Sequence, residues 1–460
     1  MYEREKKIFL FLTVFLVGAA FLQAQVFSEK NPPVRFERER GEDPKQFFEY
    51  EYRQYWDSLT EFEQFAIACS SNIFERNNQF HLDFSNRIRF NKSTREGIDI
   101  LNKNWEIFNY DQLLENFNEL SEGEQNSIYV KLKNLLEKYP ELTVIDIGKK
   151  EDLTITEVSR MYLVKDMKDI LGVHNIEAWI DARRISIIRW GIGAGYISLK
   201  EGTNLLRPVI RKIKDDYSDF EEFIAHWVAG YCFNEVYNST CPECTEKLLA
   251  AIDSARAYIP FEELPFTGKN ADKTHCMKLS ECVYTPSEEA AKMIPIQKIY
   301  KNYWSEEHSV SILQEFIKEE ENYPEISDLL LLPRYVLMWT YSSVEDRIAY
   351  VESKLDYLKS LPETSQTYSF VIQVYLNDLN KTYNPQKVID TYESLNNSLQ
   401  TNANVYFQYG YSFYLLASTC QSVIERDIYV SRAATVFKRL KSRGFNLGEN
   451  MNSWLERVEQ

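Results

Sequence analysis

Apolar residues recur at helical spacing along most of this chain, and the most legible run is 177–233. Ala178, Ala182, Ile185, Ile188 and Ile192 form one stripe. Ile180 and Ile187 lie beside it, so the spacing predicts a helix whose second half is buried on most sides. Gly191-Ile-Gly-Ala-Gly195 follows. A glycine string of this form cradles phosphate only between a strand and the start of a helix. Here it closes a helix, which predicts close packing by small residues and a C-terminal stop at Gly195. Ser198 with Glu201 predicts a capping box for the next helix. Pro208 predicts a kink or a restart within it, because its ring removes a backbone donor. Ser218 with Glu221 predicts a second box, opening a helix through Phe223, Trp227 and Tyr231.

Upstream, residues 25–46 are polar and carry Pro32, Pro33 and alternating charges, the composition of a linker. Helical spacing begins at Phe47. Thr60 with Glu63 predicts a box before Phe65, Ala66 and Ala68, and a loop is expected around 77–91. Helices are predicted over 98–108 and 110–120, and a third is capped by Ser121 with Glu124 and ends near Tyr139-Pro140. Residues 142–147 (LTVIDI) read as a short, isolated strand. Thr154 with Glu157 opens a further helix through Met161 and Leu163.

The pattern breaks over 238–284, where a short helix near 245–257 interrupts loops. Thr285-Pro286-Ser287-Glu288 then reads as a helix start, with Pro at the first helical position and Glu at the third, and opens a nearly continuous helical pattern. Its predicted segments are 287–302, 307–320, 325–341, 344–360, 366–381, 385–399, 404–420 and 428–442. Asn384-Pro385 and Ser342 with Glu345 mark starts, while Tyr323-Pro324 and Leu361-Pro362 mark breaks. Short turns between such helices predict stacked antiparallel pairs. Segments 347–376 and 386–415 are faintly similar at an offset of 39, and Ala433 with Phe437 is a small/large pairing like that of tetratricopeptide repeats, whose full 34-residue pattern is absent. The expected fold is therefore mainly α. A helical N-terminal domain (47–237) with at most a minor β element precedes a connector (238–284) and an α-helical, hairpin-built, repeat-like domain (285–460).

Length and composition add limits. At 460 residues, with 44% hydrophobic side chains, the chain has ample material for two or three domains. Its net charge of −16 argues against nucleic-acid binding, which needs a basic face. Arg4, Lys6 and Lys7 precede an apolar run over 8–22, followed by Gln23-Ala24-Gln25. That is the form of a secretory signal peptide cleaved after Ala24. The run is shorter than the roughly 20 residues of a membrane span. The expected location is periplasmic or secreted; the alternative is an inner-membrane anchor formed by 8–22, the sole expected membrane contact.

The 47–233 region resembles a bacterial domain-of-unknown-function family, number 1266. The residues that carry the resemblance are Phe65-Ala66-Ile67-Ala68 with Glu75-Arg76-Asn77; Leu101, Trp105 and Ile107 with Asp111, Leu113, Leu114, Leu120 and Gly123; Asp181 and Arg184 leading to Gly195-Tyr196-Ile197-Ser198; and Tyr217-Ser218 with Phe220 to Phe223, Gly230, Tyr231 and Phe233. Phe220 stands where the family often has Trp, and Glu124 or Gln125 where it has His. The family brings no established reaction.

Candidate chemistry is sparse. Asp181, Arg184 and Tyr196 are the candidate binding residues. The competing reading makes Asp181–Arg184 an ion pair that orders packing and gives Tyr196 a local hydroxyl partner. The five histidines show no metal spacing, no HExxH and no nucleophile elbow occur, and no catalytic residue or metal ligand is assigned. His226, mid-helix, reads as a packing histidine. Cys241-x-x-Cys244 with Cys276 and Cys282 predicts structural disulfides in an exported protein. The alternatives are a four-thiolate zinc site, a redox pair or free thiols. Cys69, Cys232 and Cys420 read as buried apolar residues. No cofactor is expected beyond that zinc alternative. The leading functional expectation is a non-catalytic envelope protein whose helical array offers a surface to a protein or peptide partner. Tyr406, Tyr409, Tyr411 and Tyr414 suit such a surface or helix packing equally. The alternatives are an enzyme with a cleft around Asp181, Arg184 and Tyr196, and a thiol- or zinc-dependent module at the four cysteines.

Overall fold

A computed structural model describes residues 56–76, 91–122, 124–235, 242–256, 259–271, 286–304 and 310–459. The signal-like segment, the linker and Cys241, Cys276 and Cys282 lie outside these residues, as does the side chain of Cys244. Among the described residues the structure is helical, with no strand. The chain divides into two compact units, Met1–Pro140 with Ser159–Ile294, and Glu141–Val158 with Pro295–Gln460.

The helices in chain order are α1 (Glu61–Arg76), α2 (Asn91–Asn104), α3 (Tyr110–Glu122), α4 (Glu124–Lys138), α5 (Val144–Lys150), α6 (Ile155–Leu171), α7 (Glu177–Ala194), α8 (Leu199–Asp216), α9 (Phe220–Asn234), α10 (Pro242–Arg256), α11 (Glu288–Ala291) and α12 (Met293–Trp304). Then follow α13 (Val310–Asn322), α14 (Leu331–Tyr341), α15 (Val344–Ser353), α16 (Leu355–Ser360), α17 (Gln366–Lys381), α18 (Pro385–Glu393), α19 (Asn397–Thr401), α20 (Ala403–Thr419), α21 (Val423–Ser442) and α22 (Glu449–Glu459).

In the first unit α7 is the central element. It packs against α1, α2, α3, α8 and α9, and nearly every residue from Ala178 to Gly193 is buried. The even spread of apolar side chains around α7 is what a helix surrounded by others needs. Close neighbours demand small residues. A Cβ on Gly191 would meet Leu113 Cδ2 at 2.5 Å, and a Cβ on Gly230 of α9 would land on Trp179 Cβ. Gly195 ends α7 in the left-handed region at φ 78°, and Tyr196 N–H donates back to the Gly191 carbonyl at 2.9 Å. The glycine string is thus a packing surface and a stop, as its position after a helix predicts.

Several boundaries differ from expectation. Residues 142–147 begin a helix rather than a strand. Thr143 Oγ1 accepts from Asp146 N–H at 3.1 Å and donates to its carboxylate at 2.7 Å, so the cap starts α5 with Val144, Ile145 and Ile147 buried. Pro208 does not restart α8, which runs continuously from Leu199 to Asp216. Both Pro208 and Asn204, whose carbonyl loses its donor, face solvent, where the carbonyl can be hydrated. The cap of α9 is Asp219, which accepts from Glu222 N–H at 2.9 Å, while Ser218 donates its N–H and hydroxyl to the Glu222 carboxylate at 2.6 Å each. Ser121 donates to the Asn118 carbonyl at 2.6 Å, and the cap of α15 is Ser343, which accepts from Asp346 N–H. The boxes at Thr60–Glu63, Thr154–Glu157 and Ser198–Glu201 stand as spaced.

In the second unit α20 packs against α17, α18, α19 and α21, and α21 against α22. Gly410 allows the α20–α21 approach, since a Cβ there would meet Val436 Cγ1 at 2.6 Å and Phe437 Cε1 at 3.0 Å. A buried bidentate pair joins α15 to α17. Arg347 Nε donates to Asp378 Oδ2 at 2.9 Å and Nη2 to Oδ1 at 3.1 Å.

Candidate functional site

The candidate binding residues of the first unit sit at opposite ends of α7. Asp181, 4% exposed, lies in its second turn. Its Oδ1 is 3.6 Å from Arg184 Nη1, and its Oδ2 accepts from Lys212 Nζ of α8 at 3.1 Å. Lys212 also reaches Asp216 at 3.3 Å and pairs with Glu177. Burial pulls the Lys212 ammonium down, but Asp181 and Glu177 outweigh it and hold it charged well above the ordinary lysine range. Arg184 places its guanidinium 4.3 Å from the Phe117 ring centroid. Tyr196, beyond the other end of the helix, donates its hydroxyl to Asn102 at 3.1 Å. Thirteen residues from Asp181 to Ala194 at 1.5 Å rise put the two ends about 20 Å apart. The structure therefore brings Asp181 and Arg184 together and leaves Tyr196 separate. It adds Lys212, which lies too far away in sequence to be paired with Asp181 by spacing.

Beside this network lies an aromatic polar cluster. The rings of His174, Tyr217 and His226 meet with centroids 5.2–6.0 Å apart. His226 Nδ1 is 3.4 Å from the Asn175 carbonyl, which can only accept, so Nδ1 carries the proton. Tyr217 Oη and His174 Nε2 are buried with no hydrogen-bond partner among the described residues. Burial, with Asp181, Glu177, Asp216 and Glu222 adding to it, pushes the Tyr217 phenol far above its ordinary range. Burial pushes the His226 imidazole down to about 4. A cavity of about 570 Å³ opens nearby, lined in part by Asp219, Glu221, Arg256, Phe261 and Phe266, and its lining includes none of Asp181, Arg184 and Tyr196.

Cys69 and Cys232 are buried, as an apolar reading requires. Cys420 is free and only half-buried, because it sits at the C-terminal cap of α20, where the helix leaves the core. Among the described residues no group of three or more acidic, histidine or cysteine side chains is placed to hold a metal ion. No described helix is long and apolar enough to cross a membrane.

The second unit presents a different surface. Tyr392 of α18 stacks on Tyr409 of α20 at 4.0 Å and 17°, and Tyr406 lies 6.2 Å from Tyr409 at 23°. Tyr409 donates its hydroxyl to Glu393 at 3.3 Å and Tyr392 to the Gln400 carbonyl at 2.9 Å. On the other side of α20, Tyr411 stacks with Tyr414, and Tyr414 meets Trp454 edge-on at 5.4 Å. Tyr406, Tyr409, Tyr411 and Tyr414 are all half-buried, so each packs one ring face and offers the rest to solvent.

Residues 100–258 match the family model described as protein of unknown function, DUF1266. The match runs from the end of α2 through α10 and so contains the α7–α9 network, while the resembling residues at 65–77 lie outside it. No curated protein and no solved structure matches the chain.

Proposed function

With residues 100–258 matching the model of unknown-function family 1266, we propose that this is a non-catalytic binding protein of the cell envelope. Residues 1–24 direct its export, and the second unit holds a protein or peptide partner. The shelf made by half-buried Tyr406 and Tyr409 of α20 against buried Tyr392 of α18 carries this reading. Rigid amphipathic rings recruited to a helical array supply contact area at low conformational cost. In the first unit Asp181 and Arg184 then act as an internal ion-pair network that orders the domain, and Tyr196 braces α7 to α2.

The test is crosslinking in intact cells followed by purification of the full chain from the envelope fraction. The wild type should carry a discrete partner that Tyr406→Ser/Tyr409→Ser releases, and recovery of the same partner with both chains would refute the shelf. The mass of the exported protein checks the remaining parts. Loss of residues 1–24 is expected, with Cys241, Cys244, Cys276 and Cys282 protected from alkylation until reduced. Protection that a chelator removes points instead to zinc.

A further inference from the structure

The whole chain carries a net charge of −16, yet α21 and the residue after it run the other way. Arg426, Arg432, Lys438, Arg439, Lys441 and Arg443 stand there against Glu425 and Asp427, and all of these are exposed. Two of the cations lie over aromatic rings of α20. The Arg432 guanidinium is 5.3 Å from the Phe413 ring centroid and that of Arg439 is 5.9 Å from that of Tyr406. Each pair has residue numbers summing to the same value, so α20 and α21 run antiparallel in one register. Among the described residues neither guanidinium makes an ion pair. A stacked arginine without a carboxylate keeps its fork of donors for an incoming anion. The acid beside the strip, Glu393, is engaged by the Tyr409 hydroxyl.

Spacing narrows what fits, and the rings beside the two arginines narrow it further. Arg432 and Arg439 are seven residues apart, about 10 Å along the helix axis. A polyproline II segment has three residues per turn and a rise of about 3.1 Å, so carboxylates at i and i+3 share one face about 9 Å apart. In a β-strand i and i+3 point to opposite faces, and the same-face pair i and i+2 spans only about 7 Å. Polyproline II segments also dock characteristically on aromatic shelves. We infer that Arg432, Arg439 and the ring surface of Tyr406 and Tyr409 form a docking strip for an acidic polyproline II segment with carboxylates three residues apart. The inference rests on the binding reading above and names the partner's chemistry.

A fluorescent twelve-residue probe of repeating Glu-Pro-Pro tests it against the full mature chain. Controls are the Gln-Pro-Pro counterpart and an alanine-rich helical peptide with glutamates seven apart. The Glu-Pro-Pro probe should bind in preference to both controls and weaken as salt rises. Arg432→Gln/Arg439→Gln, at two exposed positions, should weaken it by about fivefold per guanidinium. Equal binding of the Glu and Gln probes, preference for the helical peptide, or unchanged binding by the double variant overturns the strip. A crosslinked envelope partner retained by the double variant refutes the strip and leaves the binding reading standing. No partner and no probe binding with the wild type refutes both.

Discussion

His226 gives the sharpest test of the first unit. Its ring is 2% exposed and faces His174, Tyr217 and the Asn175 carbonyl. The carboxylates of Asp216 and Glu222 bear on the same Tyr217. Burial holds the imidazole at about 4, with the Asn175 carbonyl opposing and His174 assisting, against about 6.5 in an unfolded chain. The folded state therefore prefers the neutral ring. Its contribution is fully present above pH 6.5, is lost as pH falls towards 4, and changes no further below that. Linkage between these two values gives a loss of about 2 kcal/mol by pH 5 and about 3 kcal/mol below pH 4. Carboxylates titrate in the same range, so the informative quantity is the difference between wild type and His226→Gln, whose amide does not titrate. Hydrogen exchange of peptides from α8 and α9, corrected for intrinsic rates, should show the wild type losing about 2 kcal/mol more protection than the variant between pH 7 and pH 5. Parallel pH profiles for the two proteins would refute the assignment of His226 as a buried neutral ring.

Three further outcomes follow from the packing. Asp181→Ala strands Arg184 and removes one of three carboxylates around Lys212; it should cost the first unit about 3 kcal/mol in urea unfolding, whereas Tyr196→Phe should cost about 1 kcal/mol. Gly230→Ala drives a methyl onto the rigid Trp179 Cβ and should cost about 2–3 kcal/mol. Gly191→Ala meets the movable end of Leu113 and should cost less, and equal thermal shifts would count against this reading. Arg347→Met leaves Asp378 buried and unpaired and should destabilise the second unit by about 3–5 kcal/mol, most of it recovered in Arg347→Met/Asp378→Leu. A double-mutant cycle by urea titration measures that coupling.

The helical class was legible because periodicity and caps are local properties. Thr60, Thr154 and Ser198 stand alone as caps and were placed correctly by spacing. Where two capping residues adjoin, spacing alone cannot choose. Ser218-Asp219 and Ser342-Ser343 each resolved one residue later than the Ser-x-x-Glu pattern predicts. Residues 142–147 are rich in β-branched side chains like a strand, yet the Thr143 hydroxyl supplies a helix start that this composition does not register. In the tail, 366–381 was bounded as read, while α22 escaped because its few apolar residues lie among polar ones. The site was less legible. Asp181 and Arg184 were visible as neighbours three apart, but Lys212 reaches them only through the packing of α8 on α7. Similarly, Arg432 and Arg439 gain meaning from rings on α20 that the α21 sequence does not contain.

Gly410 carries no charge and offers no side chain to a partner. Nevertheless, the separation of α20 from α21 is set by the atom it lacks. A methyl at 410 would act as a shim between the two helices and lift Arg432 and Arg439 off Phe413 and Tyr406. The forks would then swing freely, and ordering them again would fall to the ligand. Gly410→Ala should therefore blunt recognition of an acidic segment with every recognising residue still in place, because the grip of the strip is calibrated by a distance inside the core.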